Sequence, residues 1–186
     1  MLCHSYVPQS FGIGIVIPLL KGINLEKSNM DNYRAITRPT FAKVSESYLL
    51  LIMQIFLHTS ELQFGFKKGT GCRDAISVLY YTVHYYTVNI ACLNLSKAFD
   101  KVNVFGLADK LMSRSIPKVL IGLILDWYNK VYVAVRWNGI LSSPRCLLAG
   151  VRQGGVLSPY LFNVYVNDVI TKLELSTLDA GLLEDM

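Results

Sequence analysis

The sequence predicts an α+β fold, and three observations carry that expectation. Apolar residues fall at helical spacing in 41–58, 104–114 and 117–131, while short β-branched runs occur at 12–17 and 88–95. Between two strand-like segments stands Asn138-Gly139, a pair that tolerates the positive φ angles of a tight hairpin turn. Helices and strands alternate irregularly, and no linker-like segment separates two cores, so a doubly wound sheet is disfavoured.

Taken in order, Gly12–Ile17 reads as a short strand ended by Pro18, and 25–32 as a polar loop. The next helix, 41–58, places Val44, Tyr48, Leu51, Ile52 and Ile55 on one stripe. Residues 63–73 form a Gly-punctuated basic loop, after which Asp74 anchors a helix at 75–85, an acid that suits the helix dipole. The continuous apolar run 88–95 reads as a central strand. Two helices follow, the second with Pro117 in its first turn, where a missing N–H costs nothing. The hairpin 132–142 then leads to a loop around Gly154-Gly155. Ser158 and Pro159 open a last helix, with Leu161, Tyr165, Val169 and Leu173 as its apolar stripe.

Composition narrows the function classes. The 186 residues carry 18 Lys+Arg against 13 Asp+Glu, a formal charge of +5, with 52 % apolar and only 17 % charged residues. Mean hydropathy is +0.37, which excludes intrinsic disorder. The uncharged stretch 75–95 is long enough to span a bilayer, but Thr82, His84, Thr87, Asn89 and Asn94 interrupt it. An intracellular protein, cytoplasmic or nuclear and without a membrane segment, is expected. Cys3, Cys72, Cys92 and Cys146 lie far apart with no Cys-x-x-Cys pair, so reduced and mostly buried thiols are expected and no zinc site. The apolar surplus itself implies either a large core or faces meant for something outside the chain.

Chemistry is sparse when residues are read singly. His58 and His84 have no local Ser/Asp or Cys partners, and the segment 65–71 lacks the Gly-Lys-Ser/Thr ending of a phosphate loop. Lys21, Arg34, Arg38, Lys43, Lys67, Lys68 and Arg73 cluster in the first 75 residues, which suits a polyanion.

Four segments occur in order: Asn32-Tyr33-Arg34-Ala35-Ile36, Gln63-Phe64-Gly65-Phe66, Leu95-Ser96-Lys97-Ala98-Phe99-Asp100-Lys101-Val102, and the ten residues from Gly150 to Pro159. Together they resemble the reverse transcriptase domain of non-LTR, LINE-type retrotransposons, an RNA-directed DNA polymerase, over about residues 14–170. The resemblance implies a partial right-handed polymerase fold: fingers from 1–87, an incomplete palm from 88–186, and no thumb. It implies RNA/DNA template-primer and deoxynucleotide as partners, with self-association as a possible substitute for the missing parts. In the family two Mg²⁺ ions are held by carboxylates.

The strand-end position where the family places a catalytic Asp is Asn94 here, and no Tyr-x-Asp-Asp occurs in the chain. Glu184-Asp185 resembles a remnant of that acidic pair. Asp100 has a structural role in the family. No metal ligand and no cofactor is therefore expected for this chain. By the same resemblance, Phe99 matches the aromatic gate under the sugar, Gln153 and Gly154 match the loop against the incoming nucleotide, and Arg34 and Lys21 match residues that grip the triphosphate. The expectation is a truncated, degenerate fragment without polymerase activity. The alternatives are a non-catalytic RNA- or DNA-binding remnant and a translated relic with no molecular function.

Overall fold

The computed structural model describes residues 4–38 and 42–184, with side chains described for 4–37 and 42–174. The order of elements is α1 (Gln9–Gly12), β1 (Ile13–Leu20), β2 (Tyr33–Arg38), α2 (Ala42–Met53), α3 (Cys72–Tyr85), α4 (Val104–Ser113), α5 (Lys118–Asn129), β3 (Tyr132–Trp137), β4 (Ile140–Leu141), β5 (Arg145–Cys146) and α6 (Ser158–Glu184). Single 3₁₀ turns occur at Met30–Asn32 and Phe99–Lys101. The mixed α+β expectation holds, with one open sheet in the order β2-β1-β3-β4 and β5 pairing β3.

β1 is antiparallel to β2, with Ile15 opposite Arg38 and Leu20 opposite Tyr33, and parallel to β3 from Ile13↔Tyr132 to Val16↔Val135. The strand does not end at Pro18, as the sequence suggests, but runs to Leu20. The amide of Lys21 donates to Asn32 O at 2.8 Å, so in antiparallel alternation Lys21, Leu19 and Ile17 face β2 with their hydrogen bonds. Pro18 then turns its nitrogen to the other edge, beyond the last β1–β3 pair at Val16, where no ladder bond is lost. The Asn138-Gly139 turn is as expected, with φ of +47° and +82° joining β3 to β4.

The core is built by α2, α4, α5 and the first half of α6 around Met53, Leu107, Leu111, Leu123, Leu161 and Val164. Asn103 caps α4 through Phe105 and Gly106 N–H. Pro117 sits one place earlier than expected, as the residue flanking α5.

Four further expectations are overturned. α2 buries Ala42, Glu46, Leu49 and Met53, whereas Val44, Tyr48, Leu51 and Ile55 face solvent and Ile52 is half-buried. Both faces of this helix are apolar at 3.6-residue spacing, so periodicity alone could not choose between them. In α6, Leu161 is buried and Tyr165 half-buried, but Val169 and Leu173 are exposed. Residues 87–95 form no strand, because no described strand lies alongside to take their hydrogen bonds. Consistent with this, α3 has no buried residue, although Asp74 does anchor its start by accepting from Gly71 N–H at 2.8 Å. Cys72, Cys92 and Cys146 are free and exposed rather than buried: Cys72 opens α3, which buries no residue, Cys92 lies in the exposed 87–95 segment, and Cys146 is on β5, both of whose residues are exposed. Among the described residues no helix is long and apolar enough to cross a membrane. Glu184 ends α6, and Asp185, the other half of the acidic pair, lies outside the described residues, as does Cys3.

Candidate nucleotide and nucleic-acid site

The β1–β2 ribbon positions two of the expected cations. Lys21 follows β1 and stands opposite Asn32, while Arg34 stands opposite Leu19. The two-residue period therefore places Lys21 and Arg34 on one face as diagonal neighbours, about 7–8 Å apart at the backbone. Both are exposed. Lys21 Nζ donates to the carbonyl of Asp31 at 2.7 Å, and no hydrogen bond or ion pair to the Arg34 side chain forms among the described residues. Lys67, by contrast, is not available to a ligand, because its ammonium binds the carbonyls of Thr59 and Ser60 at 3.2 and 2.5 Å.

The loop 150–157 is held on three sides. Its backbone is zipped to the turn at 99–102, with Gly150 N to Val102 O and Val151 N to Phe99 O, both 2.8 Å. Gln153 O accepts from Thr37 N on β2 at 2.7 Å, and Gln153 Nε2 donates to Asp100 Oδ1 at 3.1 Å. Two glycines are required here. A Cβ on Gly154 (φ +107°) would stand 2.5 Å from Thr37 O, and one on Gly150 (φ +90°) would stand 2.9 Å from Asp100 backbone.

From below, Arg152 and Glu46 form an ion pair at 3.0 Å, each side chain 5 % exposed. Glu46 also accepts from the amides of Val156 and Leu157, and Arg152 donates to Phe11 O at 3.3 Å. The nearby Tyr128 hydroxyl is pushed up to about 12, chiefly by burial. Sequence reading missed Glu46. Its only signal was a lone acid between two serines of a helix, a pattern that exposed helices share.

Phe99 stacks on Phe162 (centroids 4.7 Å, planes 15° apart) and meets Phe66 edge-on at 5.8 Å. The 63–66 segment is carried there by Asn163 in α6, which donates to Gly65 O at 2.7 Å and accepts from Gln63 at 3.2 Å. Asn94 is exposed on the wall of a shallow cleft of about 400 Å³, with Ser96, Lys101, Phe162 and Tyr165 among its lining. The structure thus sets Gln153 and Gly154 against β2 and zips their loop to the turn of Phe99, whose ring lies on α6. Lys97 ties the same turn to the ribbon through Asp31 (2.7 Å). Neither Lys21, Arg34 nor Gln153 lines the Asn94 cleft.

Residues 25–181 match the family described as reverse transcriptase (RNA-dependent DNA polymerase). The chain belongs to the reverse transcriptase family. Among its relatives, a probable RNA-directed DNA polymerase from transposon X-element of Drosophila melanogaster is 30 % identical over 178 residues, covering 89 % of this chain and 19 % of the relative. The RNA-directed DNA polymerase from mobile element jockey of the same species is 26 % identical over 186 residues, 94 % of this chain and 20 % of the relative. A retrovirus-related Pol polyprotein from the type-2 retrotransposable element R2DM is 28 % identical over 173 residues, 90 % and 16 % respectively. The chain therefore spans about a fifth or less of these relatives.

For a reverse transcriptase domain, a metal pair would be the next requirement. Asn94 offers a neutral amide oxygen, and among the described residues no carboxylate lines its cleft. Asp100 is engaged by Gln153. Among the described residues no group of three or more His, Cys, Asp or Glu is placed to hold a metal ion. These donors do not fit a pair of hard divalent cations, which take oxygen ligands dominated by carboxylates.

Proposed function

We propose that these 186 residues form the nucleotide- and template-facing part of a LINE-type reverse transcriptase domain, with 1–87 as a fingers-like part and 88–186 as part of a palm. In this reading Arg34 and Lys21 grip the triphosphate, the backbone around Gly154 and the Gln153 side chain abut the incoming nucleotide, and Phe99 lies under its sugar. Guanidinium suits phosphate oxygens bidentately, and the close approach of Gly154 to β2 supports a loop surface without side-chain bulk at that point. The chain by itself does not polymerise. The observation that carries this is Asn94, a neutral amide in a cleft that no carboxylate among the described residues lines, where loss of metal-binding charge lowers the rate by orders of magnitude.

The test is primer extension on an RNA template by the purified chain, with Mg²⁺ or Mn²⁺. The expected result is no product. Dideoxynucleotide-sensitive DNA synthesis would overturn the inactivity. Asn94→Asp alone is expected to leave the chain inactive, since no second carboxylate stands in that cleft.

A second reading, non-catalytic binding of RNA or DNA, is favoured by the exposed cations Lys21 and Arg34 on one face of the ribbon. Retention of a labelled RNA–DNA hybrid should weaken steeply as salt rises. Absence of retention at low salt would dismiss this reading.

A further inference from the structure

Two lysines from separate parts of the chain converge on one residue. Lys97 Nζ donates to Asp31 Oδ1 at 2.7 Å, and Lys21 Nζ donates to the backbone carbonyl of the same Asp31 at 2.7 Å. Arg34 stands on the same ribbon face as Lys21, two residues along β2 from the position opposite it. Lys97 thus bonds the carboxylate of Asp31 and Lys21 its carbonyl, with Arg34 further along the same face. That carboxyl is held below the usual range, first by the hydrogen bond from Lys97 and then by the attraction of Lys97 and Lys21. It is an oxyanion held by one ammonium with a second close by. The ion pair is open to solvent, with side chains 61 % and 72 % exposed, so it is weak and readily exchanged.

We propose that Lys21, Arg34 and Lys97 form a phosphate-binding site closed in the free chain by the Asp31 carboxylate, which an incoming polyphosphate displaces. This rests on the reading of Lys21 and Arg34 as a triphosphate grip, and adds Lys97 as the third cation and Asp31 as an internal competitor. A polyphosphate carries several charges to the one of Asp31, and its oxygens match the Arg34 fork as well as both ammonium groups.

Binding of inorganic tripolyphosphate, of dATP and of a short RNA–DNA hybrid is measured by calorimetry on the full chain at low salt. Asp31→Asn should tighten tripolyphosphate binding about three- to five-fold, the range expected for removing one exposed charge at contact. Lys97→Met should weaken it, and the double variant should lose the gain. Glu61→Gln, the same charge change at an exposed site elsewhere, should give no gain. The proposal is overturned if Asp31→Asn leaves tripolyphosphate binding unchanged or weaker, if the gain survives in the Lys97→Met background, or if no variant binds tripolyphosphate. A gain shared with dATP identifies a nucleotide triphosphate as the source of the phosphates, and a gain with the hybrid identifies the nucleic-acid backbone. Hybrid binding without tripolyphosphate binding sinks this inference and leaves the nucleic-acid reading standing. The reverse pattern sinks that reading and leaves this one.

Discussion

Arg152 meets Glu46 at 3.0 Å beneath the 150–157 loop, with both side chains 95 % shielded from solvent. The pair joins α2 to the loop and to the start of α6, because the same carboxylate takes the amides of Val156 and Leu157. Gly155 has no Cβ for the same reason: one would fall 2.6 Å from Ser158 Oγ and 3.1 Å from Glu46. The surface that the nucleotide reading uses is therefore shaped from beneath by a buried ion pair.

Removing either partner strands a buried charge. Glu46→Ala and Arg152→Ala should each destabilise the fold by about 3–5 kcal/mol, the range for uncompensated buried ions. The double variant should lose less than the sum of the two, because it strands neither charge. Urea denaturation of the three variants measures the coupling, and strict additivity would mean that the two side chains act independently.

Gly154 and Gly150 should not accept alanine. At Gly154 a Cβ would overlap the carbonyl of Thr37, and the φ of +107° is itself strained for an L side chain. Gly154→Ala should cost more than about 2 kcal/mol. Gly69→Ala, at φ +84° but with open space around it, should carry only the backbone strain. A thermal melt that ranks them the other way would contradict the docking of the loop on β2.

The Asp31 carboxyl titrates below the usual carboxylate value because Lys97 bonds it. A depressed folded value means that the contribution of the pair is present above the ordinary carboxylate range and is lost as pH falls through the folded value. In Lys97→Met the titration midpoint of Asp31 should rise, as read from its carboxyl carbon resonance against pH. An unchanged midpoint would show that Lys97 does not engage Asp31 in solution.

Within 76–95, Ile76, Leu79, Tyr80, Val83, Tyr86 and Leu93 are exposed, and α3 buries no residue. Such a contiguous apolar surface favours association. The isolated chain should self-associate in size-exclusion chromatography. Charged substitutions at Ile76, Leu79 and Val83 should reduce this with no loss of melting temperature, since these side chains contribute nothing to the core. A lowered melting temperature would place α3 in the core.

Local chemistry was legible wherever a residue acts on its immediate neighbours. Asn138-Gly139 marked its hairpin, Asp74 its helix start, Ser158-Pro159 the opening of α6, and the four motif segments marked the family. Three features were not legible. The buried face of α2 was hidden because the helix carries apolar residues all round, and only packing against the loop selects Glu46 and Met53 over Val44 and Leu51. The state of 88–95 was misread because a strand is defined by a partner, which no property of the run itself supplies. The Lys97–Asp31 contact joins residues 66 apart in sequence, a separation that no local pattern encodes.

By itself, then, the sequence determined the α+β class, the family and the hairpin, since each of these is written in residue identity or short spacing. Only the tertiary structure decided which faces are buried, that Glu46 holds the loop from below, and that Lys21 and Lys97 share Asp31. Those are long-range pairings, and their energies depend on desolvation and close approach, quantities that exist only once distant segments have met.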